Sequence, residues 1–586
     1  MHLNSLDWGI IAGYFILAGA IGLWFSRRAG KGDDEFFASG RNLPWWLAGL
    51  SMVATTFATD TPNLVTNFVR TDGVKGNWVW WAFLLTGMVT VFLYAKLWRR
   101  SGVLTDISFY ELRYSGKPAA FLRGFRAVYL GLIFNVIIMA NVTLAAVKIS
   151  NLLLGIDPYV TVICCCVLTA AYSSAAGLWG VVLTDMILFV VSMVGAIGAA
   201  YYSLGHPAVG GLSGLLANES VQQATNIFPD FTNWQEMLPL LIIPFAVQWW
   251  SVWYPGAEPG GGGYIAQRML AAKDEKNAFM STFFFNIAHY AIRPWPWILV
   301  ALCSIIVFPT VESIQQAFPY AEASLVKDDM AYPAMLTFMP NGMLGVVIAS
   351  LAAAYMSTIS THLNWGASYL VEDFYKRFFK QDATPKHYVN VGRIITVFLM
   401  VFACLFSFTL KDALEGFTIL LQIGAGTGSI YLLRWFWWRV NAWSEITGMA
   451  VSFIVALVFH SVIPEMFESW QEITIGTAIT TLSWLAVTFV TPMTKRETLQ
   501  AYYDKIRPVG FGWSKVVEVT DVGNPGEFTA ALACIFFGCA TVYCALFATG
   551  SIIYGNLAAG MFLAIISAAS LFMIFQLLPK ISFSKE

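Results

Sequence analysis

Apolar residues in this chain run in stretches near twenty long, separated by short polar segments, from about residue 8 to residue 578. A stretch of that length forms a helix able to cross a bilayer core. Fifteen spans are predicted: 8–26, 43–69, 78–97, 127–153, 158–176, 180–204, 237–256, 278–308, 342–371, 388–410, 413–433, 442–463, 472–492, 527–549 and 553–578. Two of them are interrupted. The second reads "SMVATTFATDTPNLVTNF" and sets Asp60 and Pro62 mid-membrane. The seventh reads "AVQWWSVWYPGAEPGGGGYIAQR"; its helix must fail near Pro255, and Gly260–Gly263 cannot hold a regular turn. Backbone freed at membrane depth is tolerated where it is buried in protein or lines a cavity. An interval of five spans makes the two broken helices run in opposite directions. That spacing predicts two inverted five-helix repeats with a binding site between their broken first helices.

The ninth span breaks the apolar pattern differently. "AAAYMSTISTHLNW" (352–365) packs Ser357, Thr358, Ser360 and Thr361 into little more than one turn. Ala354, Ser357 and Thr361 share one stripe, Thr358 lies beside it, and Ser360 borders it toward the inner end. An oxygen-rich face suits a hard cation. The same residues also bond back to the preceding turn or let helices pack closely. Both readings stay open on pattern alone.

Charge orients the spans. Basic residues favour the cytoplasmic side. With the N-terminus outside, inner segments hold 28 of the 34 Lys and Arg; Arg70, Lys75, Lys327 and Lys411 are outer, and Lys148 and Arg293 lie within spans. The C-terminus is then inside. Composition agrees with a membrane protein and excludes a soluble globular one: 58% hydrophobic, 12% charged, mean hydropathy +0.64. The eight cysteines fall in spans and read as small apolar residues. No CxxC or HExxH occurs, and no catalytic set is evident, so an enzyme is not expected. Ionisable residues at membrane depth default to function: Asp60, Lys148, Asp185, Glu258 and Arg293. A carboxylate placed like Asp185 needs a basic side chain, its own proton or a metal cation. "YYDKIRPVGFGW" on the inside reads as a solvated linker.

Six segments occur in order: "DEFFASGRNLPWWLAGLSMVAT", "TDISFYELRY", "GLWGVVLTD", "YIAQRMLAAKDEKNA", "DMAYPAMLTFMPNGMLGVVIASLAAAYMSTIS" and "LNWGASYLVEDFY". With them the chain resembles the sodium:solute symporter family from about residue 8 to 445. The resemblance implies an all-α polytopic membrane protein with a five-plus-five inverted-repeat core of the leucine-transporter type. One extra helix precedes the core and about four follow it. The divisions would be 1–42 (extra helix and inner loop), 43–204 (first repeat), 205–236 (outer loop), 237–436 (second repeat) and 437–586 (peripheral helices). It also implies a sodium site: carbonyls of Ala54, Phe57 and Ala354 with hydroxyls of Ser357 and Thr358. A second sodium would fall on Asp185, Ser360 and Thr361, with Ser357 shared; otherwise Asp185 lines the exit path.

For the solute, the resemblance puts Trp80 or Trp81 where sugar transporters carry a carboxylate, and Arg293 near the position of a lysine. Thr61 replaces a sugar-contacting glutamine, and Gln422 matches a polar contact. "WYPGAEPGGGG" departs from the family pattern, so that set does not carry over whole. An aromatic pocket remains, from Gln248, Trp249, Trp250, Trp253 and Tyr254 with Trp80 or Trp81; Asp60 stands beside it. If Arg293 faces the pocket an acidic sugar is attractive; if it pairs with Asp60 it is structural.

The expected function is sodium-coupled import of a small organic solute, a sugar or sugar acid, by alternating access in the plasma (bacterial inner) membrane. The rivals are another organic anion or an amino acid as cargo, or a nutrient sensor on the same fold. Expected partners are sodium, the solute and the lipid bilayer, with neither nucleic acid nor an obligate protein partner.

Overall fold

The computed structural model describes residues 3–29, 33–250, 258–323, 326–410, 421–464, 466–508, 512–519 and 526–583. Among them the regular elements are helices, with one isolated bridge between Leu43 and Ala272. We label the principal helices α1 Ser5–Ala29, α2 Trp45–Thr55, α3 Asp60–Asp72, α4 Val74–Ser101, α5 Gly116–Leu154, α6 Pro158–Ser174 and α7 Leu178–Leu204. The second half holds α8 (234–246), α9 Gly263–Ala271, α10 Glu275–Val307, α11 Met343–Lys376, α12 Pro385–Ser407 and α13 Gly428–Phe436. Peripheral to these lie α14 Ala442–Ser461, α15 Ser469–Val490, α16 Arg496–Ile506, α17 Glu527–Ile553 and α18 Leu557–Lys580.

Among the described residues, ten helices are long and apolar enough to cross a membrane. The broken pairs α2/α3 and α8/α9, with α1, α6 and the run from 421 to 436, supply the other spans. With each broken pair counted as one span, this is a five-plus-five helical core with one helix before it and four after. Helical backbone continues from α6 into α7, yet the two are not one straight rod. Tyr172 reaches the Gly180 carbonyl at 3.0 Å and the Thr184 hydroxyl at 2.6 Å. Twelve residues of straight helix would separate 172 and 184 by about 18 Å.

Both first helices break as the sequence demands. α2 ends at Thr55 and α3 starts at Asp60, so the interruption is 56–59 and Asp60 opens the next helix. An acid in a first turn meets the positive end of the helix dipole. A 3-10 turn at Gln248–Trp250 follows α8, and among the described residues beyond it α9 begins at Gly263. Gly260, Gly261 and Gly263 have φ of 85°, 87° and 55°, the left-handed region that glycine adopts without strain. Pro255 lies outside the described residues.

Several core helices contain a π-helical turn: Thr90–Tyr94 in α4, Tyr129–Phe134 in α5, Leu238–Ile242 in α8, Ala288–Ile292 in α10 and Tyr369–Lys376 in α11. Such turns are rare and cluster at functional sites.

Ion pairs close both ends. At one end Arg70 of α3 bonds Asp328 at 2.8 Å and the Phe308 carbonyl at 2.8 Å, while Lys148 of α5 meets Asp329 at 2.9 Å. At the other Arg126 meets Glu258 at 2.8 Å and also donates to Tyr431. Asp106 accepts the Gly263 amide at 3.0 Å and the Tyr369 hydroxyl, capping the start of α9.

The inner segment expected to be a solvated linker is instead packed. α16 buries Leu499, Tyr502, Tyr503 and Ile506, and Trp513 is buried beside them. The Arg113 guanidinium sits 5.2 Å from the Tyr502 ring centre and 5.4 Å from that of Trp513. Aromatic faces attract such a cation, and Arg113 also bonds the Arg434 carbonyl at 2.7 Å. An amphipathic helix thus covers charge that would otherwise be stranded.

Candidate functional site

The end of α2 meets the hydroxyl stripe of α11. Losing helical turns at 56–59 frees carbonyls that the turns would have used. Thr358 donates to the Thr55 carbonyl at 2.9 Å. Arg293 donates to the Thr56 carbonyl and to its hydroxyl, the latter at 2.9 Å. Ser357, one residue before Thr358, donates to Asp185 of α7, and Ser51 of α2 donates to the other oxygen of that carboxylate. Ala54, Phe57, Ala354, Ser357 and Thr358 are all buried. The end of α2 and the hydroxyl stripe of α11 thus touch through Thr55 and Thr358, and the Ala54 carbonyl accepts the Phe57 amide at 2.9 Å. The hydroxyl protons of Ser357 and Thr358 are committed elsewhere, so their lone pairs remain available to a cation.

The second predicted set looks different. Thr361 lies 3.2 Å from the Thr55 hydroxyl and accepts from Arg268 at 2.9 Å. Ser360 donates back to the Ser357 carbonyl at 3.1 Å. Arg268, on α9, stands 3.8 Å from Asp185. As a sequence it was only one of the inner basic residues. An arginine just past a helix break, in the largely apolar "YIAQRMLA", was the available signal.

Between the two breaks lies a cavity lined by Thr56, Thr86, Thr90, Glu258, Tyr264, Thr282, Phe285, Asn286, His289 and Tyr290, among others. Two of its polar atoms have no hydrogen-bond partner: Glu258 Oε2 and Asn286 Oδ1. Each sits over a glycine. A Cβ at Gly87 would lie 1.8 Å from Asn286 Oδ1, and one at Gly262 2.6 Å from Glu258 Oε2. The glycines let both acceptors approach the backbone of α4 and of the second break.

The predicted solute residues divide. Trp80 stacks on Tyr290 (5.8 Å) beside the cavity. Trp81 turns away, edge-on to Trp78 and Phe547. The Trp249 carbonyl accepts from Thr86, a lining residue, and Gln248 donates to the Val79 carbonyl at 2.7 Å. Trp250 bonds the Ala246 carbonyl at 2.8 Å. Trp253 and Tyr254 lie outside the described residues. Gln422 donates to Glu472 of α15, a peripheral contact. Thr61 reaches the Thr56 carbonyl at 3.4 Å, and Asp60 Oδ1 is buried without a hydrogen-bond partner.

Arg293 also takes a role that the sequence did not suggest. It caps the end of α2 through Thr56 and lies 5.7 Å and 5.0 Å from the Phe57 and Trp297 ring centres. A cation at a helix C-terminus meets the negative end of the dipole. Glu258, singled out as an ionisable residue at membrane depth, lines the cavity, whereas Asn286 and His289 were missed. Their faces depend on the π-helical turn in α10 and on the exact break, which sequence spacing does not give.

The family model described as "Sodium:solute symporter family" matches residues 36–452. A sodium/glucose cotransporter of Vibrio parahaemolyticus is 26% identical over 471 residues, covering 78% of this chain and 85% of that protein. The sodium/sialic acid symporter SiaT of Proteus mirabilis is 24% identical over 471 residues, covering 77% and 89%. Among solved structures, a Na+-coupled sialic acid symporter in a substrate-bound outward-open state superposes with a TM-score of 0.66 at 21% identity. It covers 84% of this chain and 99% of that one. The shared fold is the leucine-transporter type.

Proposed function

Because this chain belongs to the sodium:solute symporter family, a multi-pass family of sodium-coupled transporters, we propose that its cargo is a neutral, polyhydroxylated solute of the sugar class. One observation carries the choice: the only unpartnered polar side-chain atoms recorded among the cavity's lining residues, Glu258 Oε2 and Asn286 Oδ1, are both acceptors. A buried acceptor left unsatisfied costs about 1–3 kcal/mol, and more if charged. A solute offering hydroxyl donors relieves both. A carboxylate cargo would meet a carboxylate. The cation that made an acidic sugar attractive, Arg293, is engaged with Thr56 and does not line the cavity. Tyr264, Phe285 and Tyr290 add flat faces that pack on a sugar ring.

Sodium at Ala54, Phe57, Ala354, Ser357 and Thr358 would tie α2 to α11 and favour the outward-open arrangement. Solute then draws α9 and α10 together around the cavity. Opening to the inside requires Arg126 to part from Glu258 and Asp106 from the start of α9. The outer pairs of Asp328 and Asp329 hold the other end shut meanwhile. By this reading the N-terminus faces outside and the C-terminus inside. One ion falling through ~100 mV releases about 2.3 kcal/mol. A ~10-fold sodium gradient adds about 1.4 kcal/mol, and the sum sustains a solute ratio of several hundred for a neutral cargo.

The test is a thermal-shift screen of hexoses, polyols, sugar acids and amino acids in sodium against choline buffer. Stabilisation should be confined to neutral sugars or polyols and should require sodium. Glu258→Gln should weaken the stabilising sugar about ten-fold, since a charged acceptor is replaced by a neutral one. Sugar acids that bind better than their neutral parents, and better still to Glu258→Gln, would reverse the assignment.

A further inference from the structure

We propose that Arg268 is itself the cation of the second position, so that the transporter couples one sodium ion rather than two. This rests on the sodium-symport reading but not on the identity of the solute. Asp185 is fully buried, and so are Ser51, Thr361 and Arg268. Both carboxylate oxygens already accept a serine hydroxyl, from Ser51 and Ser357. The guanidinium approaches the same carboxylate to 3.8 Å, donates to Thr361 at 2.9 Å and to Ser51 at 3.2 Å. Its remaining arm donates to Gln267 at 2.8 Å. Gln267 is in turn held by Asn364 and the Phe37 carbonyl, each at 2.9 Å.

The guanidinium therefore engages two of the four ligands a second sodium would use, Asp185 and Thr361. Arginine does not lose its charge in proteins. A sodium ion added there would place two buried positive charges on one carboxylate, with Thr361 and Ser51 each already giving one lone pair to the guanidinium. Ser360 is turned away to its own helix. The tether also has a mechanical use. Arg268 sits on α9, in the inner half of the second broken helix, while Asp185 and Thr361 sit on α7 and α11. A fixed charge thus spans the elements that must slide, where a soluble ion would have to bind and leave.

The experiment is equilibrium binding of radioactive sodium to the purified full-length protein, counted per chain, with no solute needed. One ion per chain is expected, with a Hill slope near one. Two ions per chain in the unmodified protein would overturn the proposal, even if every variant failed to fold. No sodium bound at all would instead overturn the symport reading on which it rests. Arg268→Ala should vacate the position. A second sodium equivalent should appear, and millimolar methylguanidinium should restore thermal stability by occupying the gap in competition with it. A folded Arg268→Ala protein that still binds one ion and ignores methylguanidinium would overturn the assignment of Arg268.

Discussion

Sodium should largely cease to protect the protein against heat once Thr358 is replaced by alanine. A ligand that binds only the folded state raises stability by RT ln(1 + [L]/Kd), so the melting temperature of the unmodified protein should climb with sodium and not with choline. Thr358 is where two requirements meet. Its hydroxyl holds the Thr55 carbonyl at 2.9 Å, fixing the end of α2 against α11. Its lone pairs face the same junction. Hydrogen bonds to charged groups are worth about 1.5–3 kcal/mol. Taking that as the scale for one lost ion ligand, sodium affinity should fall roughly 10- to 150-fold. Thr358→Ser keeps the oxygen and should keep most of the response. Melting curves of Thr358→Ala that still shift with sodium as the parent's do would remove this residue from the site.

The second large effect is structural. Arg126→Met should destabilise the protein by about 3–5 kcal/mol, because it strands the Glu258 carboxylate in a buried environment. The pair is 2% exposed on each side and joins α5 to the second break, ahead of α9. Glu258→Gln combined with Arg126→Met removes both charges, and the double variant should recover a good part of the loss. Double-mutant cycles read such coupling directly. Losses that simply add would mean that the two side chains are held independently, and that inner closure relies on Asp106 and Tyr369 instead.

Much of this was legible in the sequence, for a stated reason. A helix break at membrane depth is conspicuous because Pro and runs of Gly are so costly there, and Pro62 and Gly260–Gly263 marked both. The hydroxyl stripe of α11 was legible because helical spacing fixes which side chains share a face. Other features were not. Asp60 suggested a break at its own position, whereas an acid favours a helix start and the interruption precedes it. Arg113, Arg126, Arg268 and Arg434 were counted as inner-loop charges, yet all are 2% exposed or less. Counting charge by sequence position cannot distinguish an arginine that reaches water from one folded inward onto a carboxylate or a ring. Trp80 and Trp81 are adjacent and alike in sequence; only packing decides that one stacks on Tyr290 of α10 and the other lies against Phe547 of α17. Gln422 lost its assigned contact because its carboxamide found Glu472 on a peripheral helix, a neighbour far along the chain.

The π-helical turns explain the rest of the slippage and carry a consequence of their own. Each holds one residue more than a regular turn, so the faces before and after it are offset by about 100° from where uniform spacing puts them. Four of them, Thr90–Tyr94, Tyr129–Phe134, Ala288–Ile292 and Tyr369–Lys376, carry or adjoin residues of the cavity or of the inner ion pairs. Length changes in the gene should be tolerated unevenly as a result. Losing one codon inside such a turn would leave a continuous helix with both flanks in their old orientation. Losing one elsewhere in the same span would rotate everything beyond it. A single-residue deletion at one of these turns should therefore be tolerated where a deletion elsewhere in the same helix is not.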